Sequence, residues 1–232
     1  VGATSNGQIY MPTDLGACTA ISAGYLHSVA LQEGGKVRTW GRNTEGQATI
    51  PADLGRCIAV AAGTYHTVAI QEDGTVRAWG MNDYGQCDIP SNLGVCIAIA
   101  AGSRHTVALL ANGTVRAWGR NDYGQCNIPA DLGVCSAISA GATSNHTAVL
   151  LANDGTNDTD DNVRVWGSNS SGQIIVPVGL GNCKAISVGG DLTLAVRSDG
   201  IVVAWGNNRY GQRTIPVALD ACVDIAEVTI TP

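Results

Sequence analysis

The chain has 232 residues, a formal net charge of −6, 14% charged and 45% hydrophobic residues, 30 glycines and no Phe. That length and apolar content suffice for one large all-β domain, and the low charge excludes a disordered chain. The acidic balance leaves no basic footprint for nucleic acid, and no apolar run approaches the ~20 residues of a membrane-spanning helix.

One unit recurs along the whole chain. Gly-Gln pairs start at Gly7, Gly46, Gly85, Gly124, Gly172 and Gly211, a period of 39 residues interrupted once by 48. Trp-Gly pairs keep the same beat at Trp40, Trp79, Trp118, Trp166 and Trp205. A fixed period of this length is the mark of a solenoid or propeller. The expected organisation is a single domain over 1–232. It comprises a partial unit (1–18), repeats near 19–57, 58–96, 97–135, 136–183 and 184–222, and a closing strand (223–232).

The elements follow in chain order. Val1 occupies a Trp position, so the chain opens on the last strand of a unit, around Gln8-Ile9-Tyr10-Met11. The start lacks the basic and apolar regions of a signal peptide. Within the third full copy, Cys96–Ala101 is a short buried strand and His105–Leu110 a second one. Asn112-Gly113 is a hairpin turn in which both residues are expected at positive φ. Val115–Trp118 is a third strand and Gln125–Ile128 a fourth, stopped by Pro129, which has no amide proton to extend a ladder. Four short antiparallel strands per repeat fit a β-propeller blade, with a β-solenoid as the rival. The fold class expected is all-β, a β-propeller of five full blades plus a partial sixth made from the two chain ends. If those ends do not pair with each other, the C-terminal strand is a template for association with another copy.

The combination Ala-Gly-x-x-His-Thr, Trp-Gly-x-Asn and Gly-Gln resembles the regulator of chromosome condensation repeat family, over nearly the whole chain. The short period is most similar to the bacterial branch that includes a secreted β-lactamase inhibitor. The resemblance implies a propeller, usually seven-bladed, that acts by protein–protein contact without catalysis. Five hairpins are present here.

Positions that hold between copies are scaffold candidates. The glycines serve backbone geometry, the Trp residues pack between blades, and Gln8, Gln47, Gln86, Gln125, Gln173 and Gln212 bond backbone. His27, His66, His105 and His146 recur at one place, with Leu192 in the fifth copy, and each is expected to close its own turn. Positions that drift lie in the Gly-x-x-His and Trp-Gly-x-Asn-x-x-Gly turns, which emerge on the same side. Tyr and Arg, the residue types of binding hot spots, are enriched there. The candidate partner-binding residues are Tyr25, Tyr65, Arg104, Tyr84, Tyr123, Arg209 and Tyr210.

The fourth copy carries nine extra residues, some at the Gly141 turn and the rest in 153–162. Asp158, Asp160 and Asn162 there form a weak calcium candidate with hard oxygen ligands, against a solvated acidic hairpin tip; no other metal is expected. Of the eight cysteines, Cys87 and Cys126 each precede a repeat cysteine by nine residues, so Cys87–Cys96 and Cys126–Cys135 are candidate disulfides. Asn112, Asn145, Asn157 and Asn169 lie in Asn-x-Ser/Thr sequons. Cysteines and sequons together point to an extracellular or cell-surface location.

No convergent acid, base or nucleophile is legible, so neither catalysis nor a cofactor is expected. The leading reading is a non-catalytic module that binds another protein through the variable loops. The alternatives are a structural extracellular protein that binds copies of itself through its incomplete blade, and a carbohydrate-binding propeller using Tyr84, Tyr123 and Tyr210. Neither nucleic acid nor membrane insertion is expected.

Overall fold

A computed structural model describes residues 6–152, 161–216 and 222–224. These residues hold five three-stranded antiparallel sheets that resemble propeller blades. The first contains β1 (Cys18–Ala23), β2 (His27–Gln32) and β3 (Val37–Gly41). The second contains β4 (Cys57–Ala62), β5 (His66–Gln71) and β6 (Val76–Gly80). The third contains β7 (Cys96–Ala101), β8 (His105–Leu110) and β9 (Val115–Gly119). The fourth contains β10 (Cys135–Ser139), β11 (His146–Leu151) and β12 (Val163–Gly167), and the fifth β13 (Cys183–Gly189), β14 (Leu192–Arg197) and β15 (Val202–Gly206). No helix of the described residues is long and apolar enough to cross a membrane.

Each sheet has three strands where the repeat pattern predicted four. The fourth segment, after the Gly-Gln pair, is a turn: Gly85 has φ +74°, and the Asp88 amide returns to the Gly85 carbonyl. The Asn82 side-chain oxygen takes the Cys87 amide, and the equivalent Asn121 takes that of Cys126. With its amides bonded locally, this segment has none to offer a ladder. The opening segment is likewise a turn, closed by the Tyr10 amide on the Gly7 carbonyl. The Asn-Gly hairpin also differs. Gly113 alone of the pair has positive φ, no non-glycine residue does among the described residues, and the Leu110 amide bonds the Thr114 carbonyl. This is a three-residue loop ending on a left-handed glycine, another common hairpin solution.

The core lies between sheets. Trp79 of the second sheet packs with Val29, Leu31 and Val37 of the first, and Trp118 of the third joins Val68, Ile70 and Val76 of the second. Middle strands are therefore covered on both faces, and His66 through Ile70 are all buried in sequence. The inner strands of all five sheets line one cavity of about 210 Å³, with Ile21, Val60, Ile99, Ile138 and Ile186 at equivalent positions. Ile21 is 80% exposed, so the face of β1 that carries it is uncovered among the described residues, while Ser22 accepts the Ala62 amide of β4.

A polar latch joins successive sheets. The Gln47 carbonyl accepts from Thr67 Oγ1 (2.8 Å) and Trp79 Nε1 (3.0 Å), and Thr67 Oγ1 lies 2.9 Å from His27 Nε2. The His–Thr–Gln chain recurs as His66–Thr106–Gln86, His105–Thr147–Gln125 and His146–Thr193–Gln173; Trp118 and Trp166 join the first two, while Trp205 Nε1 is buried without a partner. The threonine proton is committed to a carbonyl, so each histidine Nε2 must carry the proton it donates. The histidine ring thus reaches into the next sheet, contrary to the expectation that it closes its own turn. That closure is made by backbone, the Gly63 amide bonding the His66 carbonyl. The ring needs the space a glycine leaves: a Cβ on Gly63 would lie 2.2 Å from His66 Cε1. Trp40 Nε1 donates to the Gln8 carbonyl, so the segment before β1 makes the tryptophan half of the same contact.

The Gln side chains hold the adjoining turns from within. Oε1 of Gln47, Gln86, Gln125, Gln173 and Gln212 accepts the amide two residues earlier, as the repeat predicted.

Candidate functional site

The β1–β2 type of turn and the loop after the third strand meet on one face. Backbone bonds tie them: Arg42 to Leu26, Met81 to Tyr65 and Arg120 to Arg104, amide to carbonyl, at 2.8–2.9 Å. Gly80 (φ +105°) makes the crossing possible, because a Cβ there would lie 2.5 Å from the Tyr65 carbonyl oxygen. Both turns thus project side chains from a rigid base.

Five of the seven candidate residues fall into two clusters on this face. In the first, the Tyr25 and Tyr65 rings stand edge-to-face at 6.2 Å, and the Arg42 guanidinium lies 4.9 Å over Tyr65. In the second, the Arg104 and Arg120 guanidinium groups lie 5.0 and 5.2 Å from the Tyr84 ring, and Arg120 lies 5.4 Å from Tyr123. Arg104 Nη1 also donates to the Tyr84 hydroxyl at 3.0 Å. Arg209 and Tyr210 stack on each other at 5.5 Å on the fifth sheet and touch none of the other candidates through ring or guanidinium contacts among the described residues. Tyr210 lines a separate cavity of about 330 Å³ with Asp191, Leu192, Asn207 and Gln212.

Arg42 and Arg120 were missed as individual candidates. Their signal was present: both follow a Trp-Gly pair, where the other copies have Met81, Ser168 and Asn207. Each is neutralised within its own loop, Arg42 by Glu45 (3.4 Å) and Arg120 by Asp122 (2.7 Å).

The enlarged turn of the fourth sheet is a brace. Ala142 and Ser144 are buried, the Ser103 amide donates to the Ser144 carbonyl (2.9 Å), and Thr64 Oγ1 donates to the Ala142 carbonyl. The extra residues thus tie together the turns that carry Tyr65 and Arg104.

The structure departs from the disulfide expectation. Cys87, Cys96, Cys126 and Cys135 carry free thiols. Cys87 and Cys126 lie beside the loop face, their thiols directed at the Met81 and Arg120 carbonyls. Cys96 and Cys135 begin strands at the opposite end, so a strand's length separates each proposed pair. Burial pushes the Cys87 and Cys126 thiols up to about 12. Of the calcium candidates, Asp158 and Asp160 lie outside the described residues, while the Asn162 side-chain amide makes two bonds to the Cys183 backbone (2.8 and 2.9 Å). No group of three metal-ligating side chains occurs among the described residues. Of the sequons, Asn112 and Asn169 are exposed, and Asn157 lies outside the described residues. Asn145 is half-buried with its side-chain oxygen inaccessible, and its sequon threonine, Thr147, is part of a latch.

With this geometry established, comparison with known proteins decides the family. The model of the regulator of chromosome condensation (RCC1) repeat matches residues 18–47, 57–86, 96–125 and 183–212, just over half of the chain. The chain belongs to the RCC1 repeat family. The unmatched full repeat is the fourth, which carries the insertion. No curated protein sequence matches the chain.

Solved structures share the fold. Human WBSCR16 is similar with a TM-score of 0.68 and 18% identity over 82% of this chain, which spans 62% of that structure's length. The CRINKLY ectodomain of the receptor kinase ACR4 from Arabidopsis thaliana gives 0.71 and 19% identity over 89% of this chain and 74% of its own. Prp20p from Saccharomyces cerevisiae, studied for its binding to Gsp1p and histones, gives 0.55 and 18% identity over 81% of this chain and 71% of its own. Identities this low speak to fold alone.

Proposed function

We propose that this RCC1-repeat chain is a non-catalytic module that binds another protein through the loop face of its first three sheets. The observation that carries the reading is the pair of Tyr–Arg clusters built from Tyr25, Tyr65, Arg42, Arg104, Tyr84, Arg120 and Tyr123. Tyr buries large area for little conformational entropy, and here each Tyr and Arg is already held by a neighbour, which lowers the ordering cost of association. The rest of the scaffold is given over to latches and glycine turns that hold these side chains still. Prp20p, a relative in fold, is a binding protein, which is consistent with this use.

Carbohydrate recognition is less well supported. A sugar needs an open aromatic face to stack on, and guanidinium groups lie over the rings of Tyr84, Tyr123 and Tyr210. An extracellular location is a proposal carried by the sequons, of which Asn112 and Asn169 are exposed, and the free thiols lend it no support.

Affinity capture from the native source with the immobilised chain tests the reading, scored for foreign proteins and for the chain itself. A foreign protein retained by the wild type and lost from Tyr65→Ala supports it. Recovery of the chain alone, or of nothing, contradicts it.

A further inference from the structure

Resting on that reading, we infer that the partner delivers a carboxylate, an Asp or Glu side chain of an acidic segment, to Arg104 and Tyr84. The three arginines of the two clusters differ in one respect. Arg42 and Arg120 are each paired with an acid in their own loop, whereas Arg104 has no carboxylate within 4.0 Å among the described residues. Asp83, beside Tyr84 in sequence and exposed, makes no ion pair with it.

Arg104 is nonetheless held in place. Its carbonyl accepts the Arg120 amide, its guanidinium lies over the Tyr84 ring, and its Nη1 donates to the Tyr84 hydroxyl. Tyr84 is fixed in turn through its amide on Gln86 Oε1 (3.0 Å). Since the Tyr84 oxygen accepts from Arg104, its own O–H remains to donate. The Arg104 N–H groups not used by Tyr84 and the Tyr84 O–H are therefore donors from one fixed pair, with no side-chain acceptor bonded to them among the described residues. A planar guanidinium next to a hydroxyl donor matches a carboxylate, which accepts at both oxygens. A phosphate would offer the same acceptors, but the chain's net charge of −6 disfavours a dianion more than a single carboxylate. The Tyr123 ring, joined to Tyr84 through Arg120, gives the residues beside that carboxylate an apolar surface.

The test uses the full chain and two bead-bound random peptide libraries, identical except that the central position is fixed as Glu in one and Gln in the other. The expected result is that the wild type is retained on the Glu library at least about tenfold more than on the Gln library, and that Arg104→Gln abolishes the difference. Arg104→Lys, which keeps the charge and loses the planar fork, is expected to recover only part of it. Unchanged circular dichroism and melting of both variants separate this loss from misfolding. Equal retention on the two libraries, or a Glu preference that survives in Arg104→Gln, overturns the inference. The parent reading fails by a different result: a captured native partner that is insensitive to Tyr65→Ala.

Discussion

His66 Nε2 lies 3.1 Å from Thr106 Oγ1, forty residues along the chain and one sheet further on. Thr106 passes its own proton to the Gln86 carbonyl, which also takes Trp118 Nε1. Four side chains or backbone groups from successive repeats thereby meet at a buried junction between sheets; two further full copies exist among the described residues, and a third, His146–Thr193–Gln173, lacks the tryptophan donor. The repeat is thus a unit of inter-sheet bonding as much as a unit of folding.

Removing the central hydroxyl should be costly. Thr106→Val leaves the His66 donor buried without an acceptor and is expected to destabilise by about 1–3 kcal/mol. His66→Leu copies the natural state of the fifth sheet, where Leu192 is buried at this position. In a double-mutant cycle from urea unfolding, the two changes should couple by about 1 kcal/mol or more. Additive effects would mean that the ring and the hydroxyl do not act together.

The latch also sets a pH dependence. Burial holds the imidazoles neutral, lowering His27 and His146 to about 4 and His66 and His105 to about 3, against an ordinary value of 6.5. Their Nδ1 atoms are buried without a partner, so a proton there would be unmatched. Because the unfolded chain takes up protons first, stability is complete above about pH 6.5 and falls as pH drops toward 4, by about 1.4 kcal/mol per pH unit for each histidine. The carboxylates of Asp14, Asp53 and Asp73 are held below 3.8, and their contribution is lost only at lower pH. Urea midpoints between pH 7.5 and 5 therefore report on the histidines. A flat profile would contradict the buried neutral latch.

Much of this was legible from the period alone. The hairpins from His to Trp-Gly, the inter-sheet tryptophans and the convergence of the two variable turns all follow from alternation and glycine placement. The fourth strand was misjudged because Gln125-Cys126-Asn127-Ile128 has a strand's composition, while its amides are taken by Asn121 and a local turn. The latch was invisible because its parts lie about forty residues apart, and single-sequence reasoning assigned His105 to its nearest turn. Arg42 and Arg120 were overlooked as site residues because their role depends on which ring lies beneath them. The brace at Ser144 had a signal, the inserted residues, but length does not say whether an insertion turns inward.

The thiols provide a separate check. With Cys87 and Cys126 raised to about 12 and Cys183 to about 11 by burial, against 9.0 for an ordinary thiol, these three hold very little thiolate at pH 8. For Cys87 and Cys126 the thiolate fraction falls roughly a thousandfold. Iodoacetamide followed by mass spectrometry should leave these three unmodified until urea is added. A Cys87–Cys96 or Cys126–Cys135 linkage in the non-reduced digest would contradict the arrangement.

Two glycines should respond differently to one methyl group. Gly63→Ala drives a Cβ into the His66 ring, while at Gly46 (φ +78°) nothing lies within 4 Å and only backbone strain opposes it. The expected loss is more than about 2 kcal/mol at Gly63 and about 1 kcal/mol at Gly46, read from urea unfolding. Similar losses at both would mean that ring packing against Gly63 is not what the position protects.

The central claim, that the loop face binds a protein, is tested most directly by the dissociation constant of the captured partner. It should be measured for the wild type, for Tyr65→Ala and for Ile58→Ser. Ile58 is 51% exposed at the far end of β4 from the loop turns. Weakening by about tenfold or more in Tyr65→Ala, with Ile58→Ser unchanged, is the predicted result. Unchanged affinity in Tyr65→Ala together with a loss in Ile58→Ser would place the interface on the opposite face and contradict the account.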